Sequence, residues 1–149
     1  MLVCAVGLAM LAPALPAQSS AGSPLDVKLL TLVANAGEDG KETLKPATEA
    51  KPGEVLVYQA IYRNTGATSL GNVAASVPVP AEFAYIDGSA KPAALEASID
   101  GKTFFPVGQP PKDTTSAAWR VLRWSPRPLA AGASFTTEIR VRVAPAVTP

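Results

Sequence analysis

Apolar and polar residues alternate with a period of two through most of this chain, and clusters of glycine, proline, asparagine and aspartate cut the alternation into short runs. A period of two sends successive side chains to opposite faces of a strand. The cleanest run is the last one, where Phe135, Thr137, Ile139, Val141 and Val143 alternate with Ser134, Thr136, Glu138, Arg140 and Arg142. It predicts a strand with one buried and one wet face. Lys51 to Gly66 has a different pattern. Pro52-Gly53 and Asn64-Thr65-Gly66 bound it as turns, while Leu56, Tyr58, Ala60 and Tyr62 on one face and Val55, Val57 and Ile61 on the other are all apolar. A strand apolar on both faces predicts an interior position, covered on both sides.

The remaining runs fall into place around these two. Leu25 to Ala34 predicts a first strand with Val27, Leu29, Thr31 and Val33 on one face, followed by a turn over Asn35 to Gly40. Lys41 to Ala50 contains Pro46, which cannot donate to a ladder and so confines the segment to an edge or to irregular structure. Asn72 to Val77 alternates until Pro78 and Pro80 end it, and Phe83 and Tyr85 make a short strand. Leu95 to Ile99 and Thr103 to Phe105 read as a hairpin about Asp100-Gly101. Residues 106–118 form the longest loop, the kind of segment that tends to carry function. Trp119 to Trp124 is a further strand with Leu122 and Trp124 toward the core, and Ser125 to Gly132 a turn. Short strands spaced in this way predict an all-β fold, an antiparallel β-sandwich of about 7 to 9 strands.

The N-terminus follows another rule. Met1 to Ala17 is an apolar run closing on Ala-Leu-Pro-Ala, which matches a secretory signal peptide, although no Lys or Arg precedes it. Its prolines, and Gln18-Ser19-Ser20 behind it, argue against a transmembrane helix. The expected organisation is a signal peptide at 1–17, a flexible leader at 18–24, the sandwich at 25–144 and a loose tail at 145–149. After signal cleavage no stable membrane insertion is expected.

Composition narrows the chemistry. Among 149 residues, Lys+Arg number 13 and Asp+Glu 12, a formal charge of +1, so no global field recruits nucleic acid. There is no histidine, and the one cysteine, Cys4, falls within the signal run. Imidazole bases, thiolate nucleophiles, disulfides and Cys/His metal sites are thereby removed from the mature chain, and no cofactor is expected. Ser89 with Lys91 and Asp100 with Asp113 are the nearest approaches to catalytic pairs, but neither has a nucleophile elbow or a recognisable oxyanion hole. Glu38-Asp39-Gly40, Asp87-Gly88, Asp100-Gly101 and Asp113 offer oxygens without repeated ligand spacing, so turns are favoured over calcium.

Pro52-Gly53-Glu54-Val55 running through Tyr58, Tyr62 and Asn64-Thr65-Gly66, then Val79-Pro80-Ala81, Phe83-Ala84-Tyr85, Gly88-Ser89-Ala90, Arg123-Trp124 and Leu129-Ala130-Ala131-Gly132, resembles the bacterial conserved repeat domain called domain of unknown function 11. The resemblance implies an immunoglobulin-like domain of bacterial envelope or surface proteins and supplies no catalytic residues. The expected function is therefore a non-enzymatic, exported module, in the periplasm, at the cell surface or outside the cell, with a structural or protein-interaction role. One alternative is a filament subunit whose N-terminal segment, with Val27, Leu29, Thr31 and Val33, adds as a donor strand to a neighbouring copy. Another is a carbohydrate or surface-ligand binder, with Trp119 exposed beside the 106–118 loop. The candidate interaction surface comprises Trp119, Arg120, Arg123, Arg140, Arg142, Lys112 and Asp113. With Arg127, the arginines would form a basic stripe across two neighbouring strands, for which a solvated sheet face is the simpler account.

Overall fold

The computed structural model describes residues 23–145. The segment expected to be a signal peptide, with Cys4, residues 18–22 of the expected leader and residues 146–149 of the expected tail lie outside the described residues. The strands are β1 (Leu25–Ala36), β2 (Glu42–Pro46), β3 (Val55–Asn64), β4 (Leu70–Val73), β5 (Ser76–Pro78), β6 (Phe83–Tyr85), β7 (Glu96–Ser98), β8 (Phe104–Pro106), β9 (Val121–Arg123), β10 (Arg127–Leu129) and β11 (Ser134–Val143). A 3-10 turn at Ser116–Ala118 precedes β9. All strand pairings are antiparallel, so the expected all-β sandwich is the architecture found. Among the described residues, no helix is long and apolar enough to cross a membrane.

One sheet runs β2-β1-β3-β11-β6, a second β5-β9-β7-β8, and β10 pairs with β4 in a short ribbon. The doubly apolar β3 lies between β1 and β11, with Tyr58 opposite both Thr31 and Ile139. Its core face, Leu56, Tyr58, Ala60 and Tyr62, is buried together with Ile139, Val141 and Val143 of β11. Val77, Leu122 and Ala97 supply the facing layer, and Trp119, Trp124, Val73 and Leu129 complete the same core. Gly53, at φ 82, makes the turn that launches β3, and its N–H bonds to the Val143 carbonyl. An L residue would be strained there.

The outward face of β3 is only partly covered: Val57 is buried, Val55, Gln59 and Ile61 are half-buried and Arg63 is exposed. β1 pairs with β3 only as far as Val33 and then continues with β2. The far end of the β1–β2 hairpin brings Glu42 to Arg140 of β11, whose side chain shares the outward face with Val57. Val57 is 0% exposed although it faces away from the core. Pro46 ends β2 at the sheet edge, where a missing N–H costs no ladder bond.

There are more strands than the pattern predicts because one predicted strand divides and one predicted turn contains a strand. Asn72 to Val77 is not one strand: Val73 closes β4 in the ribbon, the chain crosses at Ala74-Ala75, and Ser76 opens β5 in the second sheet. The Ala75 carbonyl accepts from the Trp124 N–H at the crossing. The Ser125 to Gly132 turn likewise contains β10. Residues 106–118 are a series of closed turns, with Gln109 N–H on the Pro106 carbonyl, Thr114 N–H on Pro111 and Trp119 N–H on Ser116.

Candidate functional site

A surface cleft opens on the outward face of the second sheet. Arg123 of β9 lies directly opposite Glu96 of β7 on one side and Ser76 of β5 on the other. Directly opposed residues share a face, so their side chains meet. The Arg123 Nε donates to Glu96 Oε2 at 2.7 Å and its Nη2 lies 2.6 Å from the same oxygen. The guanidinium carbon sits 3.6 Å from the centre of the Phe104 ring, a cation–π arrangement that fixes the plane of the fork. Around this pair opens a groove of about 480 Å³, bordered by Leu95, Val121, Trp124 and Pro126. Leu95 is 54% exposed, the most exposed of the large apolar side chains described. Its N–H is held by the Arg123 carbonyl, so the apolar rim is fixed to the charged floor.

The asymmetry of this groove is chemical. Glu96 satisfies one side of the Arg123 fork and Phe104 supports its face, while the Arg123 side chain remains 43% exposed. A fixed guanidinium beside an apolar lining suits a ligand that presents an apolar side chain with a carbonyl or carboxylate nearby.

The other sequence candidates do not converge here. Trp119 is 0% exposed, which corrects the expectation that it is the exposed tryptophan. It lies five positions before Trp124, and on one continuous strand the two would face opposite ways, but β9 spans only Val121–Arg123. Trp119 belongs to the end of the 3-10 turn and Trp124 follows the strand, so both rings enter the core. Trp124 Nε1 donates to the Pro92 carbonyl at 2.7 Å. The basic stripe is also corrected. β9 and β11 belong to different sheets, so Arg120 and Arg123 are not neighbours of Arg140 and Arg142.

Each arginine instead has a local structural partner. Arg120 Nη1 donates to the Phe83 carbonyl at 2.9 Å, Arg142 Nη1 to the Gly53 carbonyl at 3.1 Å, and Arg127 lies 5.0 Å from the Phe135 ring centre. Arg140 forms a two-pronged pair with Glu42, which holds the Glu42 carboxyl below its usual range and raises Arg140. Lys112 and Asp113 are exposed in the 106–118 turns, Asp113 at φ 63.

Ser89 Oγ donates to the Ile86 carbonyl at 2.6 Å and accepts from the Arg140 N–H at 3.0 Å, so the hydroxyl ties β11 to the preceding turn. Asp100 Oδ1 accepts from the N–H groups of Lys102 and Thr103 and from Ser98 Oγ. Those bonds hold its carboxyl down to about 2, led by the Thr103 amide. The carboxylate anchors the β7–β8 turn. Among the described residues, no group of three His, Cys, Asp or Glu is placed to hold a metal ion.

The proposed donor-strand residues, Val27, Leu29, Thr31 and Val33, lie in β1 of the chain's own sheet, opposite Tyr62, Ala60, Tyr58 and Leu56. Sequence reasoning missed Leu95, Glu96 and Phe104 as site residues. The available signal was a Glu and an Arg in two segments both read as strands, but nothing in the sequence states that those strands pair with these two residues in register. No protein-family model, curated protein or solved structure matches the chain.

Proposed function

We propose that this chain is a non-enzymatic β-sandwich module exported to the bacterial envelope or beyond, and that it works by binding a protein segment in the Arg123 groove. The observation that carries the reading is the groove itself, a fixed Arg123–Glu96 pair beside exposed Leu95 on the outward face of the second sheet. The occupation of Ser89 and Asp100 by turn-closing hydrogen bonds supports a binding role over hydrolysis. The resemblance to domain of unknown function 11, together with the signal-like Met1 to Ala17, supports the envelope or extracellular location. Burial of Trp119 leaves the carbohydrate reading without its stacking ring, so a peptide of mixed apolar and acidic character is the better-matched ligand.

Selection of a displayed random-peptide library on the purified protein tests this. Enriched peptides should compete with one another and lose binding on Leu95→Asp and on Arg123→Glu. Selected binders that are indifferent to both substitutions would remove the groove from the function.

A further inference from the structure

The first half of β1 is an open edge. β2 covers β1 only from Leu32 to Ala36, with one further bond from the Ala47 N–H to the Thr31 carbonyl. From Leu25 to Leu30, no described strand lies beyond β1. The direction of the backbone groups follows from two bonds that bracket this stretch. Pro24 turns its carbonyl toward β3, to the Thr65 N–H, and Thr31 turns its carbonyl away from β3, to Ala47. Strand alternation then points the N–H and C=O groups of Leu25, Val27 and Leu29 outward, and those of Asp26 and Lys28 toward β3.

The side chains on this edge are unusual for the protein. Val27 and Leu29 lie on the core face of their sheet, opposite buried Tyr62 and Ala60, yet they are 51% and 52% exposed because the second sheet does not extend over β1. Asp26 and Lys28, on the other face, are exposed as well. An open edge with apolar side chains is a template for another strand.

The spacing of these residues selects the strand that fits. We propose that the β1 edge pairs antiparallel with the β1 edge of a second copy of this chain, on a two-fold axis through Val27. In that register Val27 faces the partner's Val27, Leu25 faces the partner's Leu29, and Asp26 faces the partner's Lys28. Every outward-pointing residue then meets another outward-pointing residue, as hydrogen-bonded antiparallel pairs require. The leucines and valines share one face, and the opposite charges meet on the other. A two-fold through Asp26 also pairs outward-facing residues, Leu25 with the partner's Val27, but sets Asp26 against the partner's Asp26, and one through Lys28 sets Lys28 against the partner's Lys28, so the charges select the axis through Val27. Lysine alone on an edge discourages pairing. An Asp and a Lys placed symmetrically about an outward-facing valine favour an antiparallel copy of the same strand. The contact is isologous and closes as a dimer, joining two five-stranded sheets into one. It is independent of the Arg123 groove, which lies on the other sheet.

The edge is short, so the dimer is weak, with a dissociation constant in the range of about 10 to 500 μM. Sedimentation equilibrium of the full chain across that range reads it directly. Asp26→Lys places lysine against the partner's Lys28, and Lys28→Asp places aspartate against the partner's Asp26. Each should weaken dimerisation by about tenfold or more. An equimolar mixture of the two variants restores both opposite-charge pairs and should recover a heterodimer. Val27→Pro removes an outward N–H without touching the β1–β3 ladder and should also give monomer, with far-UV circular dichroism unchanged. A parent protein that is monomeric throughout, or a dimer insensitive to the charge substitutions, overturns the proposal. So does dimerisation that arises only on deleting residues 1–22, which would make that segment the occupant of the edge.

Discussion

Asn64 closes β3 with no exposed surface, and its side chain holds two separate loops together. Its Nδ2 group donates to the carbonyls of Thr68 at 2.8 Å, Leu129 at 3.0 Å and Ala130 at 3.2 Å, while Oδ1 accepts from the Gly66 N–H at 2.9 Å. Asn64→Asp keeps the shape and the Gly66 bond but replaces the donor with an acceptor facing three carbonyls. Losing two amide donors against buried acceptors costs about 1 to 3 kcal/mol each, so a destabilisation of about 4 kcal/mol is expected at neutral pH. That is a large fraction of the stability of a domain this size. The pH dependence has a definite sign. Burial against carbonyls raises the folded-state pKa of the new carboxyl above its unfolded value, so the folded state takes up the proton first. The deficit is therefore full above the folded pKa and shrinks as pH falls toward the unfolded value of about 3.9, where a carboxyl O–H again donates. Urea unfolding followed by fluorescence suits the measurement, because Trp119 and Trp124 are both buried. A deficit below about 1 kcal/mol, or one that widens on acidification, would refute the assignment of Asn64 as a donor-side clamp.

Two further outcomes follow from polar groups in contrasting states. Tyr62 Oη donates to the Ser76 carbonyl at 3.1 Å, whereas the buried Tyr85 Oη has no hydrogen-bond partner among the described residues. Tyr62→Phe should lower stability by about 1 kcal/mol while Tyr85→Phe leaves it unchanged or raises it, compared by urea midpoints at equal slope. Asp100, held at about 2 in the fold, stabilises its turn above the unfolded carboxyl pKa and releases it as pH falls toward 2. In Asp100→Ala, the Lys102 and Thr103 amides should exchange without protection relative to their intrinsic rates at every pH, and the corresponding acid-dependent loss of protection in the parent should vanish.

The strands that could be read from the sequence are those whose burial comes from their own alternation. β11 alternates without interruption, and its core face is buried from Thr137 to Val143. β3 is interior within its sheet, between β1 and β11, but cover on both faces is not found: among the described residues its outward face is buried only at Val57. Asn72 to Val77 shows the limit. Val73, Ala75 and Val77 are all buried, as a single alternating strand would have them, yet the chain changes sheets between Val73 and Ser76. A crossing that preserves the alternation leaves no mark in the pattern of apolar residues.

The same limit governed the surfaces. A stripe of Arg120, Arg123, Arg140 and Arg142 requires β9 and β11 to be neighbours, and the two-layer topology separates them. Arg120, Arg140 and Arg142 each end on a carbonyl or carboxylate of their own chain, which fits side chains fastening segments of the sandwich. Arg123 differs because its partner Glu96 takes one edge of the fork and Phe104 one face, leaving the remainder at the groove. Removing Glu96 therefore acts on the groove through Arg123. Glu96→Gln should leave the fold intact, free the guanidinium to swing from the Phe104 ring, and shift peptide preference toward more acidic sequences. Glu96→Gln with unchanged preference would mean that the pair is only a brace between β7 and β9. In that case the exposed Leu95 rim would have to carry recognition by itself.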